Sequence, residues 1–342
     1  MIRAAIVGLG RWGRALVSAV TGEAGSKPDS DLQFVLGTTR TRKSAETFCR
    51  ERQITLVDSY DEILRDPDID AVVLATPHSQ HQAQALAAIA ARKHVFVEKP
   101  LTLDLASARA VADAAHRSGL ILAVGFTRRF HPSVGELRAR VADGRLGNVT
   151  ALVAQHTTST AQFIAPDNWR AVAEEAPGGA FTAVGLHALD HMIEFAGRVR
   201  DVRAITARNY PGPSDDTTTV MLRFASGATG LIFCSVATAT NFAFSAYGTK
   251  GLAEITRADL SHFRFAPAST AAPTGLVIAP RDETLEFPGF DMLHAQMNAF
   301  ARAIRDGNPY PVPTTDVLHG MAVLDAIVES AKRGGEMIEV KE

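Results

Sequence analysis

The earliest residues whose spacing could do chemistry are Gly8-Leu9-Gly10-Arg11-Trp12-Gly13, with a short apolar run before them and an amphipathic run after. In that setting each glycine has a mechanical task. Gly8 permits a tight turn, Gly10 lets backbone approach a pyrophosphate, and Gly13 lets a helix pack closely on a strand. A helix opening at Arg11 and Trp12 turns free N–H groups and a partial positive charge toward the phosphates. Gly8, Gly10, Arg11, Trp12 and Gly13 are therefore candidates for a dinucleotide cradle. The alternative is a glycine turn kept for packing alone.

The end of the second apolar run chooses the dinucleotide. An NAD site usually places a carboxylate there, on the ribose 2′-hydroxyl. This chain has Gly37-Thr38-Thr39-Arg40-Thr41-Arg42-Lys43 instead. A carboxylate would repel a 2′-phosphate, whereas a hydroxyl followed by guanidinium groups would hold it with paired hydrogen bonds. Thr39 and Arg40 thus favour NADP(H) over NAD(H), unless Arg40, Arg42 and Lys43 only solvate a helix start. The polar insert Thr21–Asp31 stretches the spacing between motif and strand.

Histidines supply the next candidates. His78 and His81 follow the fourth apolar run, at the carboxyl edge where open α/β sheets bind ligands. His78 is expected at the nicotinamide end or the substrate. His81 either joins that cofactor edge or packs locally in a helix. His187 and His191 stand one helical turn apart, as a metal pair would, but the Glu of a hydrolytic HExxH is missing and no metal is expected. Cys49 and Cys234 lie far apart without metal spacing and are expected to be buried free thiols, which fits a reducing compartment.

Elements that could position these residues are legible from periodicity. Apolar runs at Ala4–Val7, Gln33–Gly37, Ile54–Val57, Ala71–Ala75, His94–Val97 and Ile121–Val124 alternate with amphipathic stretches. Such alternation predicts a parallel, doubly wound Rossmann sheet over residues 1–125. From 126 to 342 the pattern changes to runs of strands with few crossovers. That predicts an α+β domain with a mostly antiparallel open sheet, closed by helices at Met292–Arg305 and Val317–Arg333. Ala266–Arg281, rich in Ala, Pro and Thr, is expected to be a surface excursion. At 342 residues, 46% hydrophobic and 21% charged, the chain can bury two cores. A net charge of −2 gives no reason to expect a nucleic-acid or membrane partner. The opening MIRAAIVG is strand-like and no apolar run is long enough for a span, so a cytoplasmic location is expected.

Ala75-Thr76-Pro77-His78 and Glu98-Lys99-Pro100, closing the fourth and fifth strands, resemble a known family. It is the glucose–fructose oxidoreductase / inositol dehydrogenase / rhizopine-catabolism (Gfo/Idh/MocA) family. Gly125-Phe126-Thr127-Arg128-Arg129-Phe130, Gly178-Gly179 with Gly185 and His187, and Gly248-Thr249-Lys250-Gly251 extend the resemblance over nearly the whole chain. It implies a Rossmann domain, then a domain whose open sheet often forms a homo-oligomer interface, giving a dimer or tetramer. It also implies that Ala75, Thr76, Pro77, Glu98, Lys99 and Pro100 border the cofactor, with Pro100 often cis, and that Lys99 and His187 face the nicotinamide.

Oxidising an alcohol requires a proton to leave oxygen as hydride leaves carbon. Lys99 would orient the hydroxyl and stabilise the developing alkoxide, and His187 would accept or return the proton. One position departs from the family pattern. Many of these dehydrogenases carry Asp four residues before the histidine, and here that position is Ala183. Asp190 is acidic but three residues after it. Arg128 and Arg129 either reach an acidic or polyhydroxy substrate or brace the domain junction, and Trp169 either walls the pocket or is core. The leading expectation is hydride transfer at a carbon bearing hydroxyl or carbonyl on a sugar or polyol-like small molecule. A redox-assisted lyase with a bound nicotinamide and a non-catalytic dinucleotide sensor are the alternatives.

Overall fold

The computed structural model describes residues 1–22, 30–165, 168–212, 214–271, 277–278 and 280–342. Much of the polar insert Thr21–Asp31 and part of the excursion Ala266–Arg281 lie outside the described residues. Two compact units emerge, Met1–Thr127 with Asp291–Leu318, and Arg128–Phe290 with His319–Glu342.

In the first unit β1 (Ile2–Val7), β2 (Leu32–Thr38), β3 (Thr55–Leu56), β4 (Ala71–Leu74), β5 (His94–Val97) and β6 (Leu122–Val124) form a sheet ordered β3-β2-β1-β4-β5-β6. All its pairings are parallel. Ala4–Val7, Ala71–Leu74 and Val95–Val97 are buried without interruption, as a sheet covered on both faces requires. The helices α1 (Arg11–Thr21), α2 (Arg42–Glu51), α3 (Tyr60–Arg65), α4 (His81–Ala90) and α5 (Leu105–Ser118) connect these strands. Local chemistry sets their ends. A Ser59/Glu62 capping box starts α3, and Asp104 accepts the Ser107 N–H at the start of α5. The order reverses between β1 and β4, and such a reversal places a ligand crevice beyond the carboxyl ends of the two strands.

The chain later re-enters this unit, which a single cut at 125/126 does not provide for. The helix Met292–Asp306 packs on α1, β1 and β2. Phe300 meets Phe96 at 5.7 Å between ring centroids, and Asn298 accepts the Asp31 N–H at 3.0 Å. An amphipathic helix far along the chain supplies this covering, and periodicity alone gives no indication of which sheet it covers.

The second unit holds α6 (Pro132–Ala142), β7 (Val149–Thr157), α7 (Leu186–Ala196), β8 (Val199–Ala207), β9 (Thr217–Phe224), β10 (Thr229–Ser235), β11 (Asn241–Gly248), β12 (Gly251–Thr256) and β13 (His262–Pro267). Its nine-stranded sheet runs from Glu283–Glu286 through β13, β12, β11, β7, β10, β9 and β8 to Ile338–Glu339. Only β7 with β10 is parallel among these pairings. Side chains alternate across it: Val220, Leu222 and Ile232 are buried, whereas Met221, Leu231 and Phe233 face out. The helix α6 packs on β12 and β13, and α7 on β7 and β10. The strands His262–Pro267 and Glu283–Glu286 were not anticipated, nor was the pairing of Thr270–Ala271 with Val277–Ile278 inside the expected excursion. Glu283–Glu286 is exposed at every residue and carries no alternation. Phe263 and Phe265 do alternate in β13 and were a legible signal.

Candidate active site

The first unit carries the glycine turn. Gly8 has φ +94°, and a side chain there would strike the Ala75 carbonyl. A side chain on Gly13 would overlap the Gly8 carbonyl. Gly10 differs, because a Cβ built on it meets nothing within 4 Å. That open space sits at the start of α1, whose N-cap is Gly10 and has no side chain to cap the first N–H groups. The Trp12 indole N–H is enclosed beside it without a partner among the described residues. The cradle thus fits a dinucleotide pyrophosphate. Arg14, which the sequence reading passed over, donates to the Leu9 carbonyl at 3.0 Å and the Ser44 carbonyl at 2.6 Å. It ties the glycine turn to the start of α2.

Beyond β2, Thr39 is half-buried and Arg40 exposed. Arg42 is engaged by Asp58 at 2.5 Å, so the three basic residues are not equivalent. The first turn of α2 holds Arg42 and Lys43 and no acidic residue, and Thr41 makes no side-chain cap. Basic residues at a helix N-terminus oppose the helix dipole. An anion bound there would offset that repulsion.

Ala75, Thr76, Pro77 and His78 follow β4, and Thr76 Oγ donates to Gln84 Oε1 at 2.6 Å. His81 is fully buried, its Nδ1 2.9 Å from the Pro100 carbonyl and its Nε2 3.1 Å from the Thr76 carbonyl. It joins the turn after β4 to the turn after β5, as the packing alternative for this residue describes. The Lys99–Pro100 bond is cis. Glu98 is buried and Lys99 half-buried. The Glu98 carboxylate fills the space where a Cβ on Gly125 would sit, 2.9 Å away, so that glycine makes room for the acid.

The second unit carries the histidine. Gly178 and Gly179 have φ +78° and +61°, and a Cβ on Gly179 would strike the Asp215 carbonyl. They lead into a π-helical turn, Phe181–Gly185, that opens directly into α7 and half-buried His187. Ala183 lies in this turn and is exposed. A π turn shifts the backbone hydrogen-bonding pattern, and the Val184 carbonyl accepts from His156 Nδ1 at 2.9 Å. His156 Nε2 then accepts from Arg128 Nη2 at 3.0 Å. The His156 ring lies 6.1 Å from the His187 ring and edge-on to Phe242. Sequence reasoning missed His156; the available clue was a histidine on the buried side of an alternating strand.

The two neighbouring arginines part company. Arg129 is buried against Asp190 at 2.8 Å and Glu194 at 3.7 Å. Burial raises the Asp190 carboxyl, and the Arg129 guanidinium opposes that rise. Asp190 is thereby committed to Arg129. His191 is buried with its ring edge-on to Phe244, and no metal-binding cluster occurs among the described residues. Trp169 is half-buried in a short turn, with the Arg170 guanidinium 4.2 Å above its ring. Cys49 and Cys234 are free and buried.

Residues 2–126 match an oxidoreductase family described by its NAD-binding Rossmann fold, GFO_IDH_MocA, and residues 134–254 match the GFO/IDH/MocA C-terminal domain. The chain belongs to the GFO/IDH/MocA family. It is therefore an oxidoreductase with an NAD(P)-binding Rossmann domain. Among curated members of the family, the trans-1,2-dihydrobenzene-1,2-diol dehydrogenase of Oryctolagus cuniculus is 30% identical over 230 residues, 67% of this chain and 68% of that one. The Homo sapiens enzyme of the same name is 28% identical over 251 residues, 72% and 74% of the two chains. A levoglucosan dehydrogenase in complex with NADH and levoglucosan shares the GFO/IDH/MocA fold with a TM-score of 0.87 at 23% identity, over 100% of both chains. No helix among the described residues is long and apolar enough to cross a membrane.

Proposed function

We propose that the chain is an NADP(H)-preferring dehydrogenase or reductase acting at a CH–OH or C=O carbon of a sugar or polyol-like small molecule. The observation that carries the reading is the glycine turn at the sheet's switch point, with open space over Gly10. The carboxylate-free, basic start of α2 supports the phosphorylated cofactor. Relatives named for a dihydrodiol and for levoglucosan support a hydroxylated small substrate.

When bound, the nicotinamide supplies the acceptor or donor of hydride. Lys99 donates from its ammonium to the substrate oxygen and holds the alkoxide as charge develops. His187, whose Nδ1 is enclosed, takes the hydroxyl proton at Nε2 and returns it in the reverse direction. Trp169 and Arg128 contribute to the substrate side, and His78, Thr76 and Pro77 to the nicotinamide side. The bare sheet face, with Ile205, Met221, Leu231, Phe233 and Tyr247 exposed, joins two copies of the chain in a homo-oligomer.

The test is absorbance of the reduced nicotinamide during incubation with polyols, sugars and their oxidised forms. Net cofactor turnover is expected, and Lys99→Ala should lower it by about a hundredfold or more while cofactor affinity stays within about tenfold. Unchanged turnover in Lys99→Ala removes this lysine from the mechanism. Substrate consumed with the cofactor unchanged would instead point to redox-assisted elimination.

A further inference from the structure

Among the described residues, Arg128 is a cation without a carboxylate counter-ion. Its guanidinium stacks 4.3 Å above the Phe242 ring, and its polar contact among the described residues is one hydrogen bond, from Nη2 to His156 Nε2 at 3.0 Å. His156 cannot neutralise it. The Val184 carbonyl can only accept, so His156 carries its proton on Nδ1 and offers a lone pair at Nε2. A ring that donates at one nitrogen and accepts at the other is uncharged. Arg128 Nη1 is enclosed and has no hydrogen-bond partner among the described residues. No carboxylate among them lies within 4 Å of this guanidinium, whereas adjacent Arg129 has two. Burial lowers Arg128 to about 10, with no opposing contribution from an acid.

Arg128 is half-buried with the Nη1 end of its guanidinium enclosed, and charged groups withdrawn from water in this way are ordinarily paired. An arginine without a carboxylate partner among the described residues, set beside a candidate catalytic histidine, is held for a ligand. The guanidinium fork matches a planar carboxylate with two parallel hydrogen bonds. The aromatic face of Phe242 and the His156 ring fix that fork in one orientation.

We infer that the substrate is a polyhydroxylated carboxylate, a sugar acid whose carboxylate seats on Arg128 while a ring or chain hydroxyl reaches His187. The inference rests on the dehydrogenase reading for the role of His187, and it narrows that reading from neutral polyols to acids. His156, held by the π turn that precedes His187, is the positioning residue linking the two.

Calorimetric titration of the cofactor-loaded protein with matched pairs tests this: hexuronates and aldonates against the corresponding neutral hexoses, with a hexose 6-phosphate as a further anion. At least one acid should bind tenfold or more tightly than its neutral partner and than the phosphate ester. Arg128→Gln should weaken that acid by about thirtyfold and the neutral sugar by less than threefold. Arg128→Lys, which keeps the charge but loses the fork, should recover part of the difference. An acid preference absent in the unaltered protein, or one that survives Arg128→Gln in a variant with an unchanged melting curve, overturns the inference. A phosphate ester bound best overturns the carboxylate specifically. Neutral sugars bound best and oxidised would sink this inference and leave the dehydrogenase reading standing. Acids bound without cofactor turnover would do the reverse.

Discussion

Arg128 and Arg129 show how little residue type says without a partner. The sequence offers two adjacent guanidinium groups and the same two roles for each. Structure separates them, because Asp190 sits 2.8 Å from one, and no carboxylate among the described residues lies within 4 Å of the other. Asp190→Asn should therefore act through folding. It leaves the Arg129 charge buried with a weaker partner, and stability should fall by about 3 kcal/mol. Replacing both members by apolar residues, Arg129→Met with Asp190→Leu, should cost less than Asp190→Asn alone. Chemical denaturation measures both, and a single variant as stable as the parent would contradict the pairing. Residue-level legibility followed geometry. The glycine motif was legible because backbone constraint writes itself into residue type. The partner sets of His81, Arg128 and His156 were not, since each joins residues distant in sequence.

At the scale of elements, helix α6 offers a pH-dependent contact. His131 is its N-cap, and Nδ1 accepts the Ser133 N–H at 3.1 Å. The ring is buried between Phe287 and Phe290, and its Nε2 has no partner among the described residues. Burial pushes its pKa down to about 4, with Asp259 opposing and Arg128 assisting. The folded protein thus resists a proton that the unfolded chain accepts below about 6.5. This contribution is complete above the unfolded value and is lost as pH falls toward 4, at roughly 2 kcal/mol between pH 7 and pH 5. Asn is an equally good N-cap without a titrating ring. His131→Asn should therefore lose that share of the pH dependence, as denaturation at the two pH values will show. An identical slope in the variant would contradict the account. Most strands and helices were legible because their buried faces repeat with period 2 or 3.6. The edge strand Glu283–Glu286 buries nothing and so left no pattern.

For the whole molecule, the composition allowed two domains but not their bookkeeping. The helix Met292–Asp306 closes the first unit from the far end of the chain, and its amphipathic pattern names no partner sheet. The second sheet presents the complementary case, in which a face is left open. Met221 and Leu231, paired across β9 and β10, are 61% and 40% exposed in strands whose opposite faces are buried. Light scattering should find a homo-oligomer for the parent chain, and Met221→Glu with Leu231→Glu should shift it to a smaller mass. A parent that is already monomeric would contradict that assembly.

The central claim is that the first unit holds a nicotinamide dinucleotide and selects its phosphorylated form through the start of α2. Fluorescence titration with NADPH and NADH tests it most directly. Both should bind saturably, NADPH the more tightly by tenfold or more, with the gap shrinking in Arg40→Ala as one charge-assisted contact to the 2′-phosphate is lost. Equal affinities, or a gap that Arg40→Ala leaves untouched, would contradict the selection, and absence of saturable binding by either would contradict the site itself.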